Sequence, residues 1–214
     1  MQKIITIAHQ KGGVGKSTLA LNLAVELAKR HPLKVIDLDF QKSLTIFNET
    51  RKEQGLEPLR IATVLGAKEL MRLIDTSKEL VLIDSGGFDS DLNRIALLGA
   101  DLIVTPLSNN LIEIYGLESF KKILQELQEV RPDIKSHVLL NNVHPQTQRA
   151  IEELRTFIQK SPFFEMFDTV VRRRSDFAKS FELGRSVVEI NPSGPAAKEI
   201  VSLVEEIETI VYRY

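Results

Sequence analysis

Residues 4–18 read Ile-Ile-Thr-Ile-Ala-His-Gln-Lys-Gly-Gly-Val-Gly-Lys-Ser-Thr, and the order of events in this run decides the fold. An apolar stretch at 4–8 gives way to glycines, and from Ser17 a helical pattern begins. Leu19, Leu23 and Leu27 form one row of that helix and Ala20, Ala24 and Ala28 the next, with Asn22, Glu26 and Lys29 opposite. A glycine-rich turn between a strand and a helix is the setting in which a chain wraps phosphate oxygens. Gly12, Gly13 and Gly15 remove side chains where backbone N–H groups must turn inward around Val14, and the helix start adds the positive end of its dipole. Lys16 is then placed to reach the β- and γ-phosphates of a nucleoside triphosphate, Ser17 to offer a hydroxyl to Mg²⁺, and Thr18 to contact the α-phosphate. The whole run Lys11–Thr18 reads as nucleotide-binding.

Outward from this loop, short apolar runs recur at 4–8, at 35–36 leading into Asp37, and at 80–83, 102–105, 137–140 and 169–171. Several are continuously apolar, as strands covered on both faces are. Helical patterns lie between them, notably at 17–30, 111–130 and 196–212, with Pro132 marking an end and Pro195 a start. Alternation of strand and helix predicts a single α/β domain over residues 1–214, a mostly parallel twisted sheet with helices on both faces. Loops are expected at 55–58 and 191–195, and no repeat or low-complexity segment interrupts the pattern.

Composition narrows the function. The 214 residues carry a formal net charge of -1, so the chain is not basic all over and any contact with nucleic acid must be local or come from assembly. Cysteine is absent, which excludes disulfides, thiolate zinc sites and thiolate-held iron–sulfur clusters. The first apolar run is too short for a signal-peptide core and no later one approaches bilayer length, so a cytoplasmic location is expected.

A Mg²⁺–nucleotide site needs carboxylates at strand ends beside the loop. Two segments qualify, Val35-Ile36-Asp37-Leu38-Asp39-Phe40-Gln41 and Leu80-Val81-Leu82-Ile83-Asp84-Ser85-Gly86-Gly87. A helix N-cap or a strand-ending surface residue is the plain alternative for each aspartate.

The usual phosphate-loop pattern has glycine at position 10, whereas this chain has Gln10 followed by Lys11. A loop opened by that lysine resembles the deviant Walker A motif of the ParA/MinD family, closest to the small ParA/ParF-type partition ATPases. The resemblance runs from residue 9 to the last helix. It implies ATP and Mg²⁺ as cofactors, and a homodimer that forms on ATP binding, with Lys11 reaching the partner's phosphates. Bottom-up, a second ammonium beside Lys16 could neutralise charge developing on the transferred phosphoryl group. Lys11, Lys16 and Asp39 are the catalytic candidates, Asp39 by resemblance placing the attacking water. Asp84 matches the Walker B aspartate, holding Mg²⁺ through water, and Asp37 would lie in the outer shell of the metal. Phe40 stands where the family usually has proline, and Asp84-Ser-Gly-Gly stands for its usual Asp-Thr-Pro-Pro, which makes the phosphate-sensing turn less rigid.

The guanine-reading Asn-Lys-x-Asp signature is absent, which favours ATP over GTP. By resemblance Asn141 aligns with a residue against the adenine, a turn asparagine being the alternative, and Pro192 falls in the other base-flanking loop. Residues 170–185 hold Arg172, Arg173, Arg174, Lys179 and Arg185 against Asp176 and Glu182. This segment resembles the part of small ParA proteins that binds DNA without sequence preference. Three adjacent arginines cannot share one helix face, so only some would face DNA, and a solvated charge run is the bland alternative. Few aromatics interleave with the basic residues, so phosphate contact rather than base stacking is the expected mode.

The resemblance implies a partition ATPase of plasmid or chromosome, cytoplasmic and nucleoid-associated, whose hydrolysis a centromere-binding ParB-type partner stimulates. One alternative is a MinD-like membrane-positioning ATPase. It would need a basic amphipathic C-terminal helix, yet residues 196–214 set Lys198 and Arg213 against Glu199, Glu205, Glu206 and Glu208, so no membrane partner is expected. The other alternative is a metabolic ATP-dependent enzyme on the same scaffold. The first strand starts at about residue 3, so no helix-turn-helix extension and no operon-specific repressor role are expected.

Overall fold

The computed structural model describes residues 3–108, 111–144 and 148–212. The apolar runs form strands β1 (Ile4–Ile7), β2 (Leu33–Asp37), β3 (Ile61–Ala62), β4 (Leu80–Asp84), β5 (Leu102–Leu107), β6 (Ser136–Val143) and β7 (Phe164–Arg172). The helices are α1 (Lys16–Ala28), α2 (Ser43–Glu53), α3 (Ala67–Thr76), α4 (Asp91–Leu98), α5 (Leu111–Leu127), α6 (Gln148–Ile158), α7 (Ser175–Leu183), α8 (Val187–Ile190) and α9 (Pro195–Val211). The sheet order is β3-β2-β4-β1-β5-β6-β7, and all its described pairings are parallel.

Two strands exceed what the apolar runs announced. β3 is only two residues long, below the length at which a pattern can be read. β7 is the far edge strand, and its exposed Glu165 and Asp168 break the apolar run that a covered strand would show.

Alternate strand residues feed opposite layers. Ile5, Ile7, Val35, Leu82 and Val104 pack with α1 and α9 on one face. On the other, Ile4, Ile36, Val81 and Ile83 meet α3 and α4, while Ile103, Val138 and Leu140 meet α5 and α6. Each such side chain contributes on the order of 1.5–3 kcal/mol of burial. The apolar face of α9 is spent in this way: Ile200, Leu203, Val204, Ile207 and Val211 are all in the core beneath α1.

β1 lies between β4 and β5, and the chain leaves it toward β2 first and crosses to β5 later. That reversal makes the carboxyl end of β1 the switch point where a ligand crevice opens. Register brings the neighbouring ends level, since Asp84 pairs with both Ile7 and Asp37.

Candidate functional site

The phosphate loop leaves β1 at this crevice and enters α1. Gly15 caps the helix in the left-handed region at φ 91°, and a Cβ there would lie 2.5 Å from Nδ2 of Asn141. That nitrogen donates to the Val14 carbonyl at 2.9 Å, so β6 braces the loop from the side. Only glycine meets both the backbone angle and the close approach. Lys16 is buried in the loop, and its ammonium donates to the Lys11 carbonyl at 3.1 Å. Burial lowers its pKa, with Asp84 and Asp39 pulling the other way. The Lys11 N–H donates to Nδ1 of His9 at 2.9 Å.

The flank formed by β2 and β4 is acidic. Asp84 is completely buried, and among the described residues neither carboxylate oxygen has a hydrogen-bond partner in good geometry. Burial pushes its carboxyl up to about 7; the nearby Ser17 hydroxyl opposes this, Asp37 adds to it, and Lys16 and Asp39 follow in opposite senses. A buried carboxylate left unsatisfied next to a hydroxyl fits a cation held between them. Among the described residues no group of three His, Asp or Glu converges on one point. A divalent ion would therefore complete its shell from phosphates and water, the usual habit of Mg²⁺.

Asp37, expected in the outer shell of the metal, is held by hydrogen bonds from the turn after β2 and the start of α2. One of its oxygens accepts the N–H and hydroxyl of Thr45, each at 3.2 Å, and the other accepts the Asp39 N–H at 3.2 Å. Lys42 donates to its carbonyl at 2.8 Å. Asp37 thus shapes the turn into α2 that carries Asp39. Asp39 itself is half-exposed, accepts the Gln41 N–H at 2.9 Å, and lines a cleft of about 580 Å³ with Lys16, Ser17, Thr18 and Gly87. Phe40 and Phe88 also border this cleft, 86% and 57% exposed.

Gly87 lies flush on the loop. A Cβ on it would be 3.3 Å from the Gly12 nitrogen and 3.5 Å from the Lys16 ammonium. The turn that carries it is not left to two glycines alone, because Asn93 of α4 donates to the Phe88 carbonyl at 2.6 Å and to that of Gly86 at 3.4 Å. Asn93 supplies the constraint that prolines would supply otherwise. Nothing in the sequence marked it, since it sits inside an ordinary amphipathic helix.

The opposite flank, formed by β6, β7 and α7, is basic and aromatic. A second cleft of about 380 Å³ shares Gly13, Gly15 and Thr18 with the first and is walled by Asn141, the arginines 172–174, Phe177 and Phe181. The five basic residues do not make one patch. Glu199 of α9 accepts the Arg172 N–H at 3.0 Å and the Arg174 guanidinium at 2.6 Å, holding both beside the cleft. Arg173 and Lys179 are exposed, and Arg185 is half-buried after α7. Pro192 is exposed in the loop between α8 and α9 and lines neither cleft. Phe177, Phe181 and Glu199 escaped the sequence reading because each looks like a routine residue of its own helix.

Known proteins give a consistent frame. The family model described as the CobQ/CobB/MinD/ParA nucleotide binding domain matches residues 5–187. The chain is 28% identical to the chromosome-partitioning ATPase Soj of Thermus thermophilus, over 95% of this chain and 94% of that protein. It is 21% identical to the maintenance of carboxysome distribution protein A of Halothiobacillus neapolitanus, over 95% of each. Among solved structures, the septum site-determining protein MinD complexed with Mg-ADP, from Pyrococcus horikoshii OT3, matches with a TM-score of 0.72 at 16% identity, over 99% of this chain and 98% of that one.

Proposed function

The chain belongs to the CobQ/CobB/MinD/ParA nucleotide-binding family, and on that premise we propose that it is a Mg²⁺-dependent ATP hydrolase of the ParA type that works as an ATP-sandwich dimer. The observation that carries the dimer is the placement of Lys11. Of the loop residues 11–18, Lys11 and Val14 are the two that line neither cleft. The chain's own phosphates are served by Lys16, while Lys11 packs along Gly116 of α5. A loop lysine whose stem lies along α5, and which lines neither cleft of its own subunit, is available to serve the cleft of a second copy.

Within one subunit, Lys16 and the loop N–H groups bind the phosphates, and the half-exposed Asp39 at the cleft mouth orients the attacking water. Ser17 and Asp84 would hold Mg²⁺, which neutralises charge on the phosphate oxygens. The second cleft, with Asn141 and the α7 phenylalanines, takes the adenine.

The dimer binds DNA without sequence preference through Arg173 and Lys179, and a partner protein stimulates hydrolysis and release. Among the described residues no helix is long and apolar enough to cross a membrane. The buried apolar face of α9 also argues against that helix lying on a bilayer.

One assay tests this reading: DNA binding by the full chain with ADP, ATP and a slowly hydrolysed ATP analogue. Binding only in the last two states, falling steeply with salt, is expected. Equal binding in ADP would sink it. Lys11→Ala should bind nucleotide and fail to dimerise; an unchanged dimer by light scattering would remove the sandwich.

A further inference from the structure

We propose that His9 is a positioning residue for Lys11, fixing the peptide plane from which the Lys11 ammonium is presented to a second copy. The inference rests on the dimer reading of Lys11 given above. The His9 ring is 1% exposed and lies in a slot on α5. It stacks nearly parallel on Phe120, with centroids 6.2 Å apart and planes at 10°. One turn earlier, Gly116 makes room for it, since a Cβ there would lie 2.8 Å from Cε1 of the ring. Held in this slot, the ring turns Nδ1 toward the main chain, where it accepts the Lys11 N–H at 2.9 Å.

Lys11 is therefore gripped on both sides of its α-carbon, its N–H by His9 and its carbonyl by the Lys16 ammonium. The two grips have different lifetimes. Lys16 must leave the carbonyl to reach phosphate oxygens, so with nucleotide bound the His9 bond is the one that remains. An imidazole accepts only while neutral. Burial, reinforced by the Lys16 and Lys11 ammoniums, lowers the His9 pKa to about 4, so the acceptor persists at neutral pH.

Two substitutions separate the hydrogen bond from the packing. His9→Phe fills the slot and stacks but offers no acceptor. His9→Asn is smaller, and its side-chain oxygen accepts the N–H two residues on, as in an Asx turn. The readouts are dimerisation with the slowly hydrolysed ATP analogue by light scattering, ADP affinity and melting temperature. His9→Phe should weaken dimerisation by about tenfold, the scale of one hydrogen bond, with ADP affinity within about threefold. His9→Asn should restore the dimer to within about threefold of wild type. A His9→Phe chain that dimerises as wild type overturns the proposal, and so does a folded His9→Asn chain as impaired as His9→Phe. If His9→Phe does not fold, His9→Leu takes its place; if neither folds, the His9→Asn result alone decides. Lys11→Ala is run in parallel. If it dimerises normally, the premise about Lys11 is wrong; if it fails while His9→Phe dimerises, only the role of His9 is wrong.

Discussion

The two flanks of the phosphate loop are built from opposite chemistry. On the β2–β4 side, Asp39 and Asp84 lie near Lys16 with Asp37 behind them, and burial raises the pKa of both Asp37 and Asp84. On the β6–β7 side stand Asn141, the arginines 172–174 and two phenylalanines, with Glu199 tying Arg172 and Arg174 in place. The acidic flank leaves the buried Asp84 without a hydrogen-bond partner among the described residues; the basic flank ties two of its three arginines to Glu199 within the fold. A site that leaves a buried carboxylate unpartnered is prepared for a cation and for phosphate chemistry. A site that has already paired two of its arginines offers shape and aromatic surface, which suits recognition of a base. Rate should therefore live on one flank and affinity on the other.

That division can be broken by experiment. The largest effect is expected on the acidic flank, where Asp39→Ala should lower hydrolysis at saturating ATP by on the order of 10²–10⁴-fold, the usual worth of a group that manages the attacking water. ATP affinity of this variant should stay within about threefold. Phosphate release surviving at saturation while affinity collapses would reverse the assignment. A smaller effect is expected from Phe177→Ala on the other flank: ATP affinity down about tenfold, as for loss of one base-stacking aromatic, with the saturated rate held. Titration with a fluorescent ATP analogue checks it, and unchanged affinity would move the base elsewhere. The smallest effect sharpens the basic flank itself. Replacing Arg173 and Lys179 together with alanine should reduce the slope of log affinity for DNA against log salt by about 2. Arg174→Ala should leave that slope alone and lower the melting temperature by about 2–4 °C, the scale of one ion pair. A slope change from Arg174 instead would show that the Glu199 pair opens on DNA.

The acidic flank was legible before any coordinates because its residues sit in contiguous motifs at strand ends. The glycines, Lys16, Asp39 and Asp84 each follow an apolar run, and parallel register then levels those ends beside one another. What could not be read was how each carboxylate is used. Asp37 spends its oxygens on Thr45 and Asp39, while Asp84 spends none among the described residues. Hydrogen-bond accounting of that kind depends on turn geometry. The basic flank was legible only as a charge run, and its division into paired and exposed arginines needed α9 to arrive with Glu199. Asn93 and His9 were invisible for the same reason, since their partners lie across the turn or loop that they steady.

The amino-acid order by itself determined the α/β architecture and the phosphate loop, because hydrophobic period and left-handed glycines act over a few residues. It also determined the family. Only the tertiary structure decided where the two loop lysines lie. Lys11 and Lys16 are five positions apart in one loop, yet the stem of one starts along α5 and the other is buried at the cleft beside Asp39. That choice follows from what β6, α4 and α5 pack against the loop, since contacts between distant segments set a side chain's direction once the backbone has closed.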